Sequence, residues 1–226
     1  MSDAAMPWTR PLSGALCSEK ELLAQLREAP NQPAALRHSL LAALVGAAVF
    51  GVALGSYGMS AAQMVVSAVK VPLLLLGTGA LCFPAFYVFQ AVKASEPMSF
   101  VQSAALQATA LSTTAMIWAA LSLPLFFLVS TTGHYTLTQF LALAVGAIGG
   151  VVGWHRLTNG YLRLSGGESG HRLRLPLFLY LLVFGCVGSQ LAWVLRPFIG
   201  SPSLGFELFR NLEGNIFAHV LRMLGA

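Results

Sequence analysis

Five long apolar segments with almost no charge are the feature that most restricts what this chain can fold into. Each has the roughly 20 residues that a helix needs to cross the hydrocarbon layer of a bilayer. Backbone polar groups in lipid must be paired within the protein, so only helices or a closed barrel can span it. Barrel strands alternate apolar and polar residues, whereas these runs are continuously apolar. The sequence therefore predicts an all-α, polytopic bundle of about five transmembrane helices. These predicted spans 1 to 5 cover residues 38–58, 71–92, 103–130, 136–155 and 175–195.

Composition predicts a single membrane domain between two short terminal segments. Only 9% of the 226 residues are charged, against about 25% in a typical soluble domain. Residues 1–37 are expected to form a cytoplasmic segment with a short amphipathic helix, and residues 38–195 the five-span domain. Residues 196–226 are expected to form an extracytoplasmic cap that ends in an amphipathic, interfacial helix.

Local signals refine these segments. Ser18 and Glu21 have the spacing of a capping box, which predicts the start of the N-terminal helix. That helix would lie on the membrane surface or dock on a partner. Residues 60–70 are expected to form a separate interfacial helix. Pro72 would then stand in the first turn of span 2, where its missing N–H needs no partner.

The basic residues are distributed unevenly along the chain, which has a net charge of +5. Because they cluster at the ends of spans, they indicate membrane orientation and lipid headgroups rather than nucleic-acid binding. The positive-inside rule places the N-terminus in the cytoplasm. The basic residues assigned to the cytoplasmic side are Arg10, Lys20, Arg27, Arg37, Lys93, Arg156, Arg163, Arg172 and Arg174. Those assigned to the opposite side are Lys70, Arg196, Arg210 and Arg222.

Small residues recur at four-residue spacing in spans 1 and 4. Such spacing lets two helix backbones approach closely. In span 1, packing inside the protein and self-association with a second copy are both consistent with it. In span 4, the small residues are predicted to form a tight packing seam. The positions are Gly51 and Gly55 in span 1, Ala142, Gly146 and Gly150 in span 4, and Gly149 and Gly153 as a second pair in span 4.

Span 3 carries a polar face in its first half. Gln107 and Thr114 are seven residues apart and therefore share one side of a helix. This side is expected to face other helices or water. It would either line a path through the membrane or supply hydrogen bonds between helices.

The C-terminal tail combines charged, aromatic, Pro and Gly residues. Arg196 and Arg210 are candidates for binding an anion or a lipid headgroup, because guanidinium groups bind phosphate bidentately. Alternatively, Glu207 and Glu213 pair with these arginines and hold the shape of a folded cap.

Motifs in span 2 and in the tail carry a resemblance to a family. They are Lys70-Val71-Pro72-Leu73, the run from Arg196 to Pro202, Phe206 to Arg210, and Glu213-Gly214-Asn215. With these motifs the chain resembles a family of small bacterial multi-span proteins without assigned function, over about two thirds of its length. The resemblance implies a bacterial inner-membrane location and no substrate or catalytic residue. The topology is also similar to that of Yip1-type membrane proteins, an analogy that does not bear on function.

What the spans lack bears on function. They hold no Asp or Glu, whereas coupled transporters keep ionisable residues at membrane depth. No nucleophile–base pair or metal-ligand spacing is present, Cys17, Cys82 and Cys186 being scattered. The sequence therefore predicts no cofactor and no enzymatic activity. It favours a scaffold or accessory subunit that binds membrane lipids, other spans or itself, with a small oligomeric channel or facilitator as the alternative.

Overall fold

The computed structural model describes residue 24 and residues 26–93, 98–165 and 170–199. Within these ranges the secondary structure is entirely helical, which confirms the predicted all-α bundle. The capping box at Ser18 and the tail beyond Ile199 lie outside the described residues, as do both predicted terminal amphipathic helices apart from Ala24, Leu26 and Arg27. The five long helices are α1 (Gln32–Gly55), α2 (Ala61–Lys93), α3 (Phe100–Thr132), α4 (Tyr135–Leu164) and α5 (Gly170–Leu195).

All five helices are long and apolar enough to cross a membrane. Their spanning segments have 21 to 33 residues and mean hydropathies between 1.7 and 1.9. A helix rises about 1.5 Å per residue, so each covers the roughly 30 Å of hydrocarbon. The chain is thus a polytopic membrane protein.

Residues 60–70 do not form a separate interfacial helix, and that prediction was wrong. Residues 61–70 belong to α2, which begins at Ala61 and continues through Pro72. Pro72 therefore stands inside the helix rather than in its first turn. The polar residues of this stretch fall on one helix face and are buried against the end of α5, so the stretch packs as part of the bundle.

The helices pack unevenly. α1 packs against both α2 and α3, whereas α4 packs mainly on α3 and α5 mainly on α2. α4 and α5 barely touch each other. Only 17% of the most apolar stretch of α4 and 11% of that of α5 is buried, against 56% for α1. A gap therefore separates α4 from α5, and α2 and α3 lie beneath it.

The buried apolar residues form two clusters, one towards each end of the bundle. The first lies towards the start of α1 and includes Leu26, Cys82, Phe86, Leu106, Leu157, Tyr161, Leu177 and Tyr180. The second lies towards the end of α1 and includes Ala43, Ala47, Phe50, Leu54, Val71, Leu75, Leu111, Ala115, Leu125 and Val129.

Hydrogen bonds tie the chain connections together at each end of the bundle. Near the start of α1, Gln90 Nε2 donates to Ser103 Oγ at 2.8 Å, which holds the end of α2 against the start of α3. At the other end, Tyr57 Oη donates to the carbonyl of Gly133 at 3.1 Å and joins the α1–α2 and α3–α4 connections. The bond from Tyr57 also satisfies a backbone carbonyl just past the end of α3, where helical partners are missing.

Candidate functional site: a cavity beneath the gap between α4 and α5

A cavity of about 300 Å³ lies beneath the gap between α4 and α5. Its size and its mainly apolar lining are typical of small-molecule sites. None of its lining residues is Asp, Glu, Lys, Arg or His. The lining residues are Leu74, Leu75, Thr78, Gln107, Ala110, Leu111, Thr114, Trp118, Gly146, Gly150, Gly153, Trp154, Leu157, Tyr180, Leu181, Phe184 and Gly188.

The glycines of α4 divide into two faces. Gly149 and Gly153 pack on α3: a Cβ atom at Gly153 would lie 2.9 Å from the carbonyl oxygen of Ala110. A Cβ atom at Gly146 or Gly150 would meet no atom of the described residues within 4 Å. The predicted tight packing seam is therefore not formed by Gly146 and Gly150 within the described part of the chain. They leave one wall of the cavity open instead.

Gln107 is at the floor of the cavity and is 5% exposed. Its Nε2 donates to the carbonyl of Gly79 on α2 at 2.6 Å. Its Oε1 is buried and has no hydrogen-bond partner within the described ranges. Only the amide nitrogen can donate to a carbonyl, so this contact fixes which end of the amide is the free acceptor.

Thr78 is 2% exposed and precedes Gly79 near the middle of α2. Its Oγ1 is buried and also has no hydrogen-bond partner among the described residues. Its methyl carbon and its hydroxyl oxygen both face α5, since a Cβ atom at Gly188 would lie 3.3 Å from the first and 3.6 Å from the second. Two residues that line the cavity, Thr78 on α2 and Gln107 on α3, thus each carry a buried oxygen without a partner in the described part of the chain.

Thr114 lies on the same face of α3 as Gln107, as predicted from their spacing, and both line the cavity. Unlike Gln107, Thr114 is fully paired: its hydroxyl can donate to the carbonyl of Ala110 at 3.2 Å or of Gly149 at 3.1 Å. Thr114 therefore joins α3 to α4 rather than presenting a free polar group.

Aromatic rings close the cavity on two sides. Trp154 of α4 stacks on Tyr180 of α5 with ring centroids 6.4 Å apart. Tyr180 also contacts Phe86 of α2 at 5.2 Å. On another side, Trp118 Nε1 donates to the carbonyl of Gly146 at 3.4 Å. These rings leave apolar walls around the two oxygens of the floor.

A second polar cluster lies where α5 ends. Gln63, Ser67 and Lys70 share one face of α2 and are each at most 4% exposed. Ser67 Oγ donates to the carbonyl of Phe198 at 2.5 Å, and Lys70 Nζ donates to that of Pro197 at 3.3 Å. These donors satisfy carbonyls beyond the last turn of α5, where helical partners are missing. The cluster is therefore well suited to a structural role.

Of the predicted ion-pair cluster, only Arg196 is among the described residues. Its guanidinium lies over the ring of Trp193, 3.5 Å from the ring centroid. This arrangement is a cation–π contact. Arg210, Glu207 and Glu213 lie outside the described residues, so their interaction with Arg196 stays a prediction.

Gly51 and Gly55 pack α1 against α2. A Cβ atom at Gly51 would lie 2.7 Å from the backbone carbon of Ser67, and one at Gly55 would lie 2.6 Å from the carbonyl oxygen of Gln63. Both glycines therefore bring two helix backbones together within this chain. Ala142 of α4 is half-buried and packs beside the second core cluster.

Sequence reasoning found Gln107, Thr114, Gly146 and Gly150 but missed Thr78. A single threonine within a long apolar run has no periodic pattern to mark it. The run Leu74 to Gly79 would have predicted only a lipid-facing or packed helix. Thr78 becomes informative only in the fold, where it lines the same cavity as Gln107 and Gln107 bonds to the carbonyl of the next residue, Gly79.

No protein-family model, curated protein or solved structure matches this chain.

Proposed function

We propose that this chain is a non-enzymatic accessory subunit or scaffold of a membrane complex, and that it binds a second component of the bilayer in the gap between α4 and α5. The observation that carries the proposal is the open wall at Gly146 and Gly150, where a Cβ atom on either glycine would meet no atom of the described residues within 4 Å. Glycine in a helix costs up to about 1 kcal/mol relative to alanine. Two glycines at which an added Cβ atom would meet open space among the described residues suit the close approach of another molecule.

The composition of the gap supports the same proposal. Its lining residues are almost all apolar and none carries a formal charge, so what binds there comes from the lipid phase. A catalytic role would require a nucleophile, a base or a metal ligand at the cavity. Among the described residues, no group of three His, Cys, Asp or Glu side chains is placed to hold a metal ion.

The location proposed is the bacterial inner membrane with the N-terminus in the cytoplasm. The support is the excess of Lys and Arg before and within the first turns of α1, at the end of α2, and in the parts of α4 and α5 that flank the α4–α5 connection. The ends of the helices alternate between the two sides of the bundle, so these three segments share one side.

Photo-crosslinking from the rim of the gap tests the proposed function. Leu181 lines the cavity and Leu179, two residues away on α5, does not, although both are exposed. A photoreactive amino acid at 181, introduced in native membranes, is expected to give one dominant adduct, protein or lipid. The same residue at 179 is expected to give only a mixture of bulk lipids.

A combined variant sharpens this experiment. Gly150→Leu, which fills the open wall, is expected to remove the adduct at 181, and Gly185→Leu is the matched control. Gly185 also has open space around it but does not line the cavity. Indistinguishable adducts at 181 and 179 would count against the proposed function.

A channel or facilitator is the second candidate function, and the placement of Gln107 and Thr114 in the cavity is the observation that favours it. Water-filled paths are lined by polar or charged groups. Here Thr114 is already paired within the protein, and most of the lining is apolar. Solute flux through liposomes that contain the pure protein would favour the channel over the accessory subunit.

A further inference from the structure

We propose that the component bound in the gap is a neutral, single-chain lipid with a hydroxyl group, and that this hydroxyl binds between Gln107 Oε1 and Thr78 Oγ1. This inference rests on the proposed function and names the class of ligand. It is carried by two side chains that are more than nine-tenths buried, line the same cavity, and each have one oxygen without a partner.

The two oxygens select the chemistry of the ligand. Gln107 Oε1 accepts hydrogen bonds and cannot donate, so its partner must carry an O–H or N–H group. The hydroxyl of Thr78 both donates and accepts. An alcohol satisfies both, because its O–H donates to Gln107 while its oxygen accepts from Thr78. A hydrocarbon satisfies neither and leaves both oxygens desolvated.

The remaining lining excludes a charged headgroup. Burial of an ionised group without a charged partner in an apolar site costs several kcal/mol. The cavity lining offers no Lys, Arg, His, Asp or Glu. A phosphate or carboxylate group therefore has no counter-charge there, whereas an uncharged hydroxyl needs only the two oxygens.

The position and size of the cavity fit a single chain. Thr78 is near the middle of α2, so the polar floor lies near the centre of the bilayer. A polar group at this depth is stabilised only by partners that the protein supplies. The volume of about 300 Å³ is at the small end of ligand sites. The aromatic walls of Trp118, Trp154 and Tyr180 can pack along the chain.

A competition assay with the purified protein in detergent tests this inference. The probe is dodecanol with a photoreactive diazirine near the far end of its chain, and the competitors are unlabelled dodecanol and dodecane. Dodecanol is expected to displace the probe at about one thirtieth of the concentration that dodecane needs, because the alkane forms neither of the two hydrogen bonds.

Three variants locate the site. Gln107→Leu and Thr78→Val are each expected to weaken probe binding by about threefold to tenfold, since each leaves one polar partner unsatisfied. Thr109→Val is the matched control: Thr109 is also 2% exposed, but its hydroxyl is bonded to the carbonyl of Leu106 and it does not line the cavity. Unchanged binding is expected for Thr109→Val.

Each outcome is decisive. Equal competition by dodecanol and dodecane in the unmodified protein overturns the inference, even when a variant fails to fold. A protein adduct at position 181 without any preference for the alcohol overturns it too, but leaves the proposed function supported. An alcohol preference that the Gln107 and Thr78 variants lose, and the Thr109 variant keeps, supports both.

Discussion

Replacement of Gly51 by alanine is expected to lower the free energy of unfolding by about 2 kcal/mol. The added methyl group would lie 2.7 Å from the backbone carbon of Ser67 and 2.8 Å from the Cα atom of Ala68. Because both neighbours are backbone atoms of α2, no side chain can rotate away and the two helices must separate. The measurement is denaturation in mixed detergent micelles, followed by tryptophan fluorescence.

The same variant should also disturb the end of α5. Ser67 and Lys70 hold the carbonyls of Phe198 and Pro197, and both are on the part of α2 that Gly51 contacts. A shift of this part of α2 away from α1 moves these donors. A stability equal to or above that of the unmodified protein would contradict the close α1–α2 contact on which the fold description depends.

Gly153→Ala and Gly150→Ala are expected to change stability in opposite directions, although the two glycines are three residues apart on α4. A methyl group at Gly153 meets the carbonyl oxygen of Ala110 at 2.9 Å and crowds Thr114, so a loss of about 1 to 2 kcal/mol is expected. A methyl group at Gly150 meets no atom within 4 Å in the part of the chain that the structure describes. The higher helix propensity of alanine is then the main effect of Gly150→Ala, and it stabilises the protein by up to about 1 kcal/mol.

The two variants make the same substitution on the same helix, so each serves as the control for the other. Both are measured by the same denaturation in mixed micelles. Equal losses for both would mean that Gly150 is packed in the isolated protein, and the open wall of the cavity would not exist.

The sequence predicted the helices well and their partners poorly. Continuous apolar runs of about 20 residues leave few alternatives to a spanning helix, since lipid offers no partner to an open backbone. The choice between the two glycine faces of α4 was not predictable in this way. Both faces repeat small residues every four positions, and only the placement of Ala110, Thr114 and Trp118 on α3 decides which one is filled.

Lys70 shows a second limit of sequence reasoning. A lysine beside Pro72 at the edge of an apolar run indicates the end of a span. In the fold, α2 extends past it, and the lysine is 4% exposed with its amine on the carbonyl of Pro197. A contact between residues 127 positions apart leaves no local signal, so the buried role of Lys70 could not be predicted from its neighbours.

The candidate site was predicted only in part for a similar reason. Gln107 was noticed because it belongs to the polar first half of span 3, and Thr114 was placed on the same helix face by its spacing. Thr78 lies on another helix. It matters only because it lines the same cavity as Gln107, whose Oε1 has no partner among the described residues. Periodicity therefore identifies the residues of such a site that share one helix, but not the residues that other helices contribute.

The most direct test of the central claim is the native mass of the protein extracted together with its surrounding lipids. The expected mass is that of the chain plus one additional component, lipid or protein, at a fixed ratio. This component is expected to be lost in Gly150→Leu and kept in Gly185→Leu, whose side chain does not enter the cavity. A bare chain, or a symmetric homo-oligomer with the same mass in both variants, would contradict the proposal that the gap between α4 and α5 is a binding site.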